Sequence, residues 1–142
     1  MLSKFKSLVI ETIAAQVVEG TERELITLNQ NQLFHGEDAD GNKLPRYRSE
    51  RRARIKNSMN PLPGYGIPDY YVTGRMYNQM YVDFERDGTY KIRSNVPYFG
   101  VLTARGGNPF GIQPNNKVQY IKNTFKGRFI KIIANIVGVK VA

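Results

Sequence analysis

The sequence predicts an α+β fold: a small antiparallel sheet packed by an N-terminal and a C-terminal helix, with long loops between them. Three observations carry this reading. Apolar residues recur at helical spacing near both ends, residues 80–94 alternate strictly about a turn, and proline- and glycine-rich stretches separate these parts. The 142 residues suit a single domain, and a composition of 41% hydrophobic and 23% charged residues is too apolar for a disordered chain. The domain divides into an N-terminal helical region (2–35), a hairpin and sheet core (about 70–112) and a C-terminal helix (about 116–137).

Residues 2–19 place Leu2, Phe5, Leu8, Val9, Ile13 and Val17 on one helical stripe, with Gly20 where a terminating glycine belongs. Lys4 and Lys6 before Ser7–Ile10 imitate a signal peptide, but Glu11 interrupts the apolar run, so this segment is expected to stay as a helix of an intracellular product. Thr21-x-x-Glu24 has the form of a capping box and opens a second helix through Leu25, Ile26, Leu28 and Leu33.

His35–Lys43 is a polar turn. Asp38, Asp40 and Asn42 alternate like calcium ligands, but Lys43 and Ser49 occupy the positions that need glycine and glutamate, so a plain Asx/Gly turn is expected. Ser49 can cap a short helix through Asn57, on which Arg48, Arg51 and Arg52 would share a face able to grip phosphates. Asn60–Pro68, with three prolines and two glycines, is a stiff loop.

In the hairpin, parity decides the register. A two-residue Asp-Gly turn would oppose Phe84 and Lys91, whereas a three-residue loop, Arg86-Asp87-Gly88, pairs Phe84 with Tyr90 and Val82 with Ile92 on one face. Asp83 then faces Lys91, and Tyr81 faces Arg93. Val96–Leu102 is expected to form another short strand, followed by a glycine-rich loop over 103–115. That loop and 60–68 are long enough to order against neighbouring molecules, with Arg105, Gly107, Pro109 and Phe110 as candidate ordering residues. The last helix carries Val118, Ile121, Phe125, Phe129, Ile132, Ile133 and Ile136 as its stripe and stops at Gly138. The tail Val139–Ala142 is either a small edge strand or disordered.

Little in this pattern suggests chemistry. The chain has no cysteine and one histidine, which excludes disulfides, thiolate sites and any centre needing two imidazoles. The carboxylate pairs Asp38/Asp40 and Asp83/Glu85 fall in a turn and on an outer strand face, and the loop at 103–111 lacks the ending of a phosphate-binding P-loop. A non-enzyme without cofactor or metal is expected, and no apolar run approaches the ~20 residues a membrane span needs.

Charge is the strongest global signal. The net charge is +9, yet residues 1–87 are balanced at 12 basic and 12 acidic side chains, while 88–142 carry 9 basic and none acidic. A block of one sign points to an oppositely charged partner. Candidate interface cations are Arg48, Arg51, Arg52, Lys117, Lys122, Lys126, Arg128 and Lys131.

Three segments, in order, resemble a known family: Gln32-Leu-Phe-His-Gly-Glu-Asp-Ala-Asp-Gly41, Pro68-Asp-Tyr-Tyr-Val-Thr-Gly-Arg-Met-Tyr77, and Pro97-Tyr-Phe-Gly100 leading to Gly107-Asn-Pro-Phe-Gly-Ile112. The pattern is similar to the neck, head–tail connector and tail-completion (virion morphogenesis) proteins of tailed bacteriophages, although Asn108 stands where that family often has arginine. The resemblance implies a structural virion protein, assembled in the host cytoplasm into a ring, commonly of six or twelve copies, between portal-side and tail-side proteins. It implies no enzyme activity, no cofactor and no membrane, and allows non-specific DNA contact. A ring needs two different surfaces per subunit. The acidic residues Glu11, Glu19, Glu22, Glu24, Glu37, Asp38 and Asp40 and the basic second half suit that pairing. A small basic nucleic-acid-binding protein, with tyrosines stacking bases, is the alternative.

Overall fold

The computed structural model describes residues 2–85 and 89–138. The hairpin loop Arg86-Asp87-Gly88, the tail from Val139 and the side chains of Leu2, Lys4, Phe5 and Leu8 lie outside the described set. The fold is α+β, with helices α1 (Leu2–Gly20), α2 (Glu22–Phe34), α3 (Glu50–Met59), α4 (Arg75–Asn78), α5 (Phe99–Ala104), α6 (Pro114–Tyr120) and α7 (Lys126–Val137), and strands β1 (Met80–Phe84) and β2 (Tyr90–Ser94).

The strands pair antiparallel as Met80↔Ser94, Val82↔Ile92 and Phe84↔Tyr90, the register expected of a three-residue loop. Val82 and Ile92 are buried against Leu25, Leu33, Met76 and Val96. On the outer face the charges pair diagonally: Arg93 meets Asp83 at 3.2 Å, and Lys91 reaches Glu85 at 3.9 Å. The outward N–H of Val82 donates to a Glu22 carboxylate oxygen at 2.8 Å, so α2 closes that strand edge.

Three local expectations are corrected. Gly20 is the last helical residue of α1, and Thr21 makes no capping bond to α2. Its hydroxyl is buried and instead bonds the Val17 carbonyl (2.9 Å) and the Tyr120 hydroxyl (2.6 Å), a local competition that threonine often wins against capping. Val96–Leu102 is not a strand. Pro97 starts a turn, Phe99 and Leu102 sit three apart on the inner side of α5, and the sheet keeps two strands among the described residues. The helix after Ser49, whose hydroxyl accepts the Arg52 N–H at 3.3 Å, runs two residues further than expected, to Met59.

The C-terminal helix begins at Pro114, in the first turn where a missing N–H costs nothing, and ends at Gly138 in the left-handed region (φ 76°). Its middle, Ile121–Phe125, is a π-helical turn. In an α-helix, residues five apart point about 140° away from each other. The wider turn brings Phe125 to the side of Tyr120 (ring centroids 6.3 Å), and Phe125 stacks on Phe129 at 5.6 Å.

Two polar hubs knit the body. The first is α2's inner face. Asn29, fully buried, donates to the Pro109 carbonyl (3.0 Å) and accepts the Gly111 N–H (3.1 Å). One turn on, Gln32 donates to the Gly111 carbonyl (2.8 Å) and accepts from Gln113 N–H (2.9 Å) and the Asn116 amide (2.8 Å). The second is Asp69, 2% exposed, which accepts from Lys56 (2.7 Å), Asn60 (2.9 Å) and Tyr71 N–H (2.9 Å). Lys56 also donates to the Tyr71 carbonyl, and Tyr77 donates its hydroxyl to the Asp69 carbonyl at 2.5 Å. Gly36 shows how closely the 60–68 loop packs: with φ 71°, a Cβ there would stand 2.5 Å from the Pro63 Cβ.

Candidate functional site

Two features stand out from this body. The first is an arm. α1 packs on α7, and the Thr21–Tyr120 bond ties the end of α1 to the start of the C-terminal helix, so the pair runs antiparallel away from that joint. Of its described side chains, Ile13, Val17 and Ala134 are buried, whereas Ile10, Ile130, Ile136 and Val137 stay exposed, Ile136 by 65%. α7 is amphipathic, and part of its apolar edge stays uncovered among the described residues.

The second is a cleft of about 740 Å³ between the start of α3 and α5, lined by Arg46, Arg48, Arg52 and Arg105 together with Tyr47 and Val101. A neighbouring hollow of about 630 Å³ shares Tyr47, Arg52, Val101 and Arg105 and adds Ile55, Met59, Val72 and Tyr70. Loss of water around Tyr47 pushes its phenol up to about 12. The Asp69 charge adds to that rise, and Arg105 and Arg52 oppose it. Burial also raises Tyr70, with Arg105 again opposing, so both guanidinium groups act on the tyrosine floor.

The expected site residues separate under this geometry. Arg48 precedes the helix, lines the cleft beside Arg52 and is joined by Arg46 and Arg105; Arg51 lies outside it. Lys117, Lys122, Lys126 and Lys131 are exposed along the C-terminal helix, while Arg128 is engaged by Glu24 of α2 at 3.5 Å. Of the acidic set, Asp38 is buried and accepts the Asp40 and Asn42 N–H groups as an Asx turn (both 2.9 Å). Glu22 and Glu37 are likewise held within the chain, the latter by Gln113 at 2.7 Å. Glu11, Glu19 and Asp40 remain on exposed positions.

The ordering loop divides too. Pro109 is buried and Phe110 packs on Phe99 (4.8 Å), so α2 and α5 supply the order expected from a neighbour; Arg105 and Gly107 stay exposed. His35 holds the Asn31 carbonyl through Nδ1 at 2.8 Å, a helix-end role. Among the described residues, no cluster of three histidine or acidic groups could hold a metal, and no helix is long and apolar enough to cross a membrane.

Nothing in the sequence joins Arg46 to Arg105; only the fold brings them to one cleft. The one usable signal was that Arg105 lies beside a glycine pair that lets the loop turn back, both glycines having positive φ. Comparison of the chain with family models, curated proteins and solved structures gives no match.

Proposed function

We propose that the chain is a structural virion protein of a tailed phage, one subunit of a ring at the head–tail junction, in a connector, tail-completion or tail-adaptor role. The observation that supports this most is the α1/α7 arm, whose exposed Ile10, Ile130, Ile136 and Val137 are unfinished packing that a neighbouring copy can complete. In a ring each subunit offers different surfaces to its two neighbours. Here the arm carries exposed acids on α1 (Glu11, Glu19) and exposed lysines on the C-terminal helix (Lys122, Lys126, Lys131). Their attraction across subunits sets register and speeds encounter, while apolar burial holds the contact.

Replacing Lys122, Lys126 and Lys131 together by glutamate is expected to abolish assembly and leave the monomer's thermal unfolding in place. Normal particles from that variant would remove the charge-pairing part of the proposal. The reading itself is tested by quantitative mass spectrometry of density-purified particles from the producing host. A fixed small number of copies per portal ring is expected; absence from the particles would end the connector reading.

A further inference from the structure

The arginine cleft is not used by the arm contact, and its chemistry points to a different partner. We propose that the cleft and its neighbouring hollow form one docking site for a segment of a partner protein in which acidic side chains are followed by large apolar ones.

Charge complementarity is the first support. Among the described residues, Arg46, Arg48, Arg52 and Arg105 have no carboxylate within ion-pair distance, and no carboxylate lines either hollow. Four arginines border one concave surface, and a guanidinium group matches a carboxylate in bidentate geometry. Arg75 extends the same sign into the second hollow, where Lys56 is already neutralised by Asp69.

The second support is apolar. Ile55, Met59, Val72 and Val101 line the hollow and are 48%, 62%, 75% and 60% exposed, so large aliphatic groups stand uncovered directly beside the arginines. The third is Tyr70. It is 7% exposed, adopts φ 57°, a conformation non-glycine residues rarely hold, and its buried hydroxyl has no hydrogen-bond partner. A residue held in that conformation in the wall of a hollow is local backbone strain of the kind that gathers at binding sites.

A protein segment fits better than either competitor. A nucleic acid strand would use the arginines and could stack a base on Tyr98, 41% exposed, but most of the uncovered surface beside them is aliphatic (Ile55, Met59, Val72 and Val101), which suits apolar side chains better than a run of bases. A second copy of this chain carries +9, and its exposed acids among the described residues (Glu11, Glu19, Glu24, Asp40, Glu50 and Glu85) are dispersed along the chain. The inference rests on the connector reading only for the source of the partner, another protein of the neck. Binding itself is a property of the isolated chain.

The test is a selection of random peptides of about twelve residues by mRNA display on the immobilised full-length protein, followed by fluorescence anisotropy of the winners. The expected winners join aspartate or glutamate to leucine, isoleucine or phenylalanine. Their affinity should fall about tenfold or more in Arg52→Glu/Arg105→Glu and in Val101→Asp, and stay unchanged in Lys122→Glu/Lys126→Glu. Circular dichroism melts confirm that each variant is folded. Winners without acidic bias, or equal capture by the cleft variants, would overturn the site. So would random-sequence duplex DNA that outcompetes every winner and itself loses binding in the same variants. Absence of the chain from particles would remove the connector reading while leaving a positive peptide result intact.

Discussion

The body and the arm of this molecule are built on different terms. In the body, loops that would be expected to move are fastened from within: Gln32 alone makes three hydrogen bonds to the 111–116 segment, and Asp69 collects three donors from α3 and the chain on either side of it. In the arm, two helices share one seam, and the joint beneath them leaves a crevice of about 550 Å³ lined by Val18, Tyr90, Tyr120 and Phe125. The body fastens its loops through buried polar side chains and leaves apolar surface beside the arginine cleft, whereas the arm has one shared seam and leaves Ile10, Ile130, Ile136 and Val137 uncovered. On the proposed ring reading, a chain divided in this way keeps its own shape before assembly and buries its uncovered surface against neighbours.

The largest effect that would sharpen this contrast is at Asp69. Asp69→Ala leaves the Lys56 ammonium, its side chain 14% exposed, without its counter-charge, and is expected to cost about 3–5 kcal/mol of stability in urea unfolding. Gln32→Ala orphans the Gly111 carbonyl and the Gln113 N–H and should cost about 2–4 kcal/mol by the same measurement. If either variant unfolded like the wild type, the body would not be held as described.

Alkali offers a third handle. Tyr47 has a folded-state pKa raised to about 12 from its ordinary 10, so the folded state retains a proton that the unfolded state has released. Its contribution to stability is therefore complete below pH 10 and is lost as the pH rises toward about 12. Tyr47→Phe should flatten the fall in melting temperature over that window, though not abolish it, because burial raises Tyr77 as well. An unchanged alkaline profile would contradict the half-buried, desolvated placement of Tyr47. The smallest expected change in the monomer is at Ile10 and Ile136: replacing either by glutamate should alter unfolding by less than about 0.5 kcal/mol while blocking assembly. A large loss of monomer stability would mean that the arm already completes its own core.

Much of this architecture was legible in the sequence, and the reasons differ by element. The hairpin register followed from parity, because a one-residue slip would have moved Val82 and Ile92 off the buried face. The C-terminal helix was visible from its stripe and its closing glycine. Its π turn was not, since the Tyr120–Phe125 contact joins positions that a regular helix keeps apart. The segment 96–102 misled because apolar residues in a short run suit a strand or a helix equally; packing of Phe99 and Leu102 against the core decided it. Asn29 and Gln32 were unreadable as core, because polar residues between leucines reveal burial only once the 109–113 segment that they bind is in place. The cleft had the same difficulty: three of its arginines lie in the basic run 43–56, but Arg105 joins them only through the fold.

Hydrogen–deuterium exchange of the amides of α1 and α7, followed in the free chain and in purified particles, addresses the division between finished body and unfinished arm most directly. The account predicts fast exchange in both helices of the free chain, slow exchange in α2, and strong protection of the arm once assembled. Arm amides protected as strongly as α2 in the free chain, or unchanged on assembly, would contradict it.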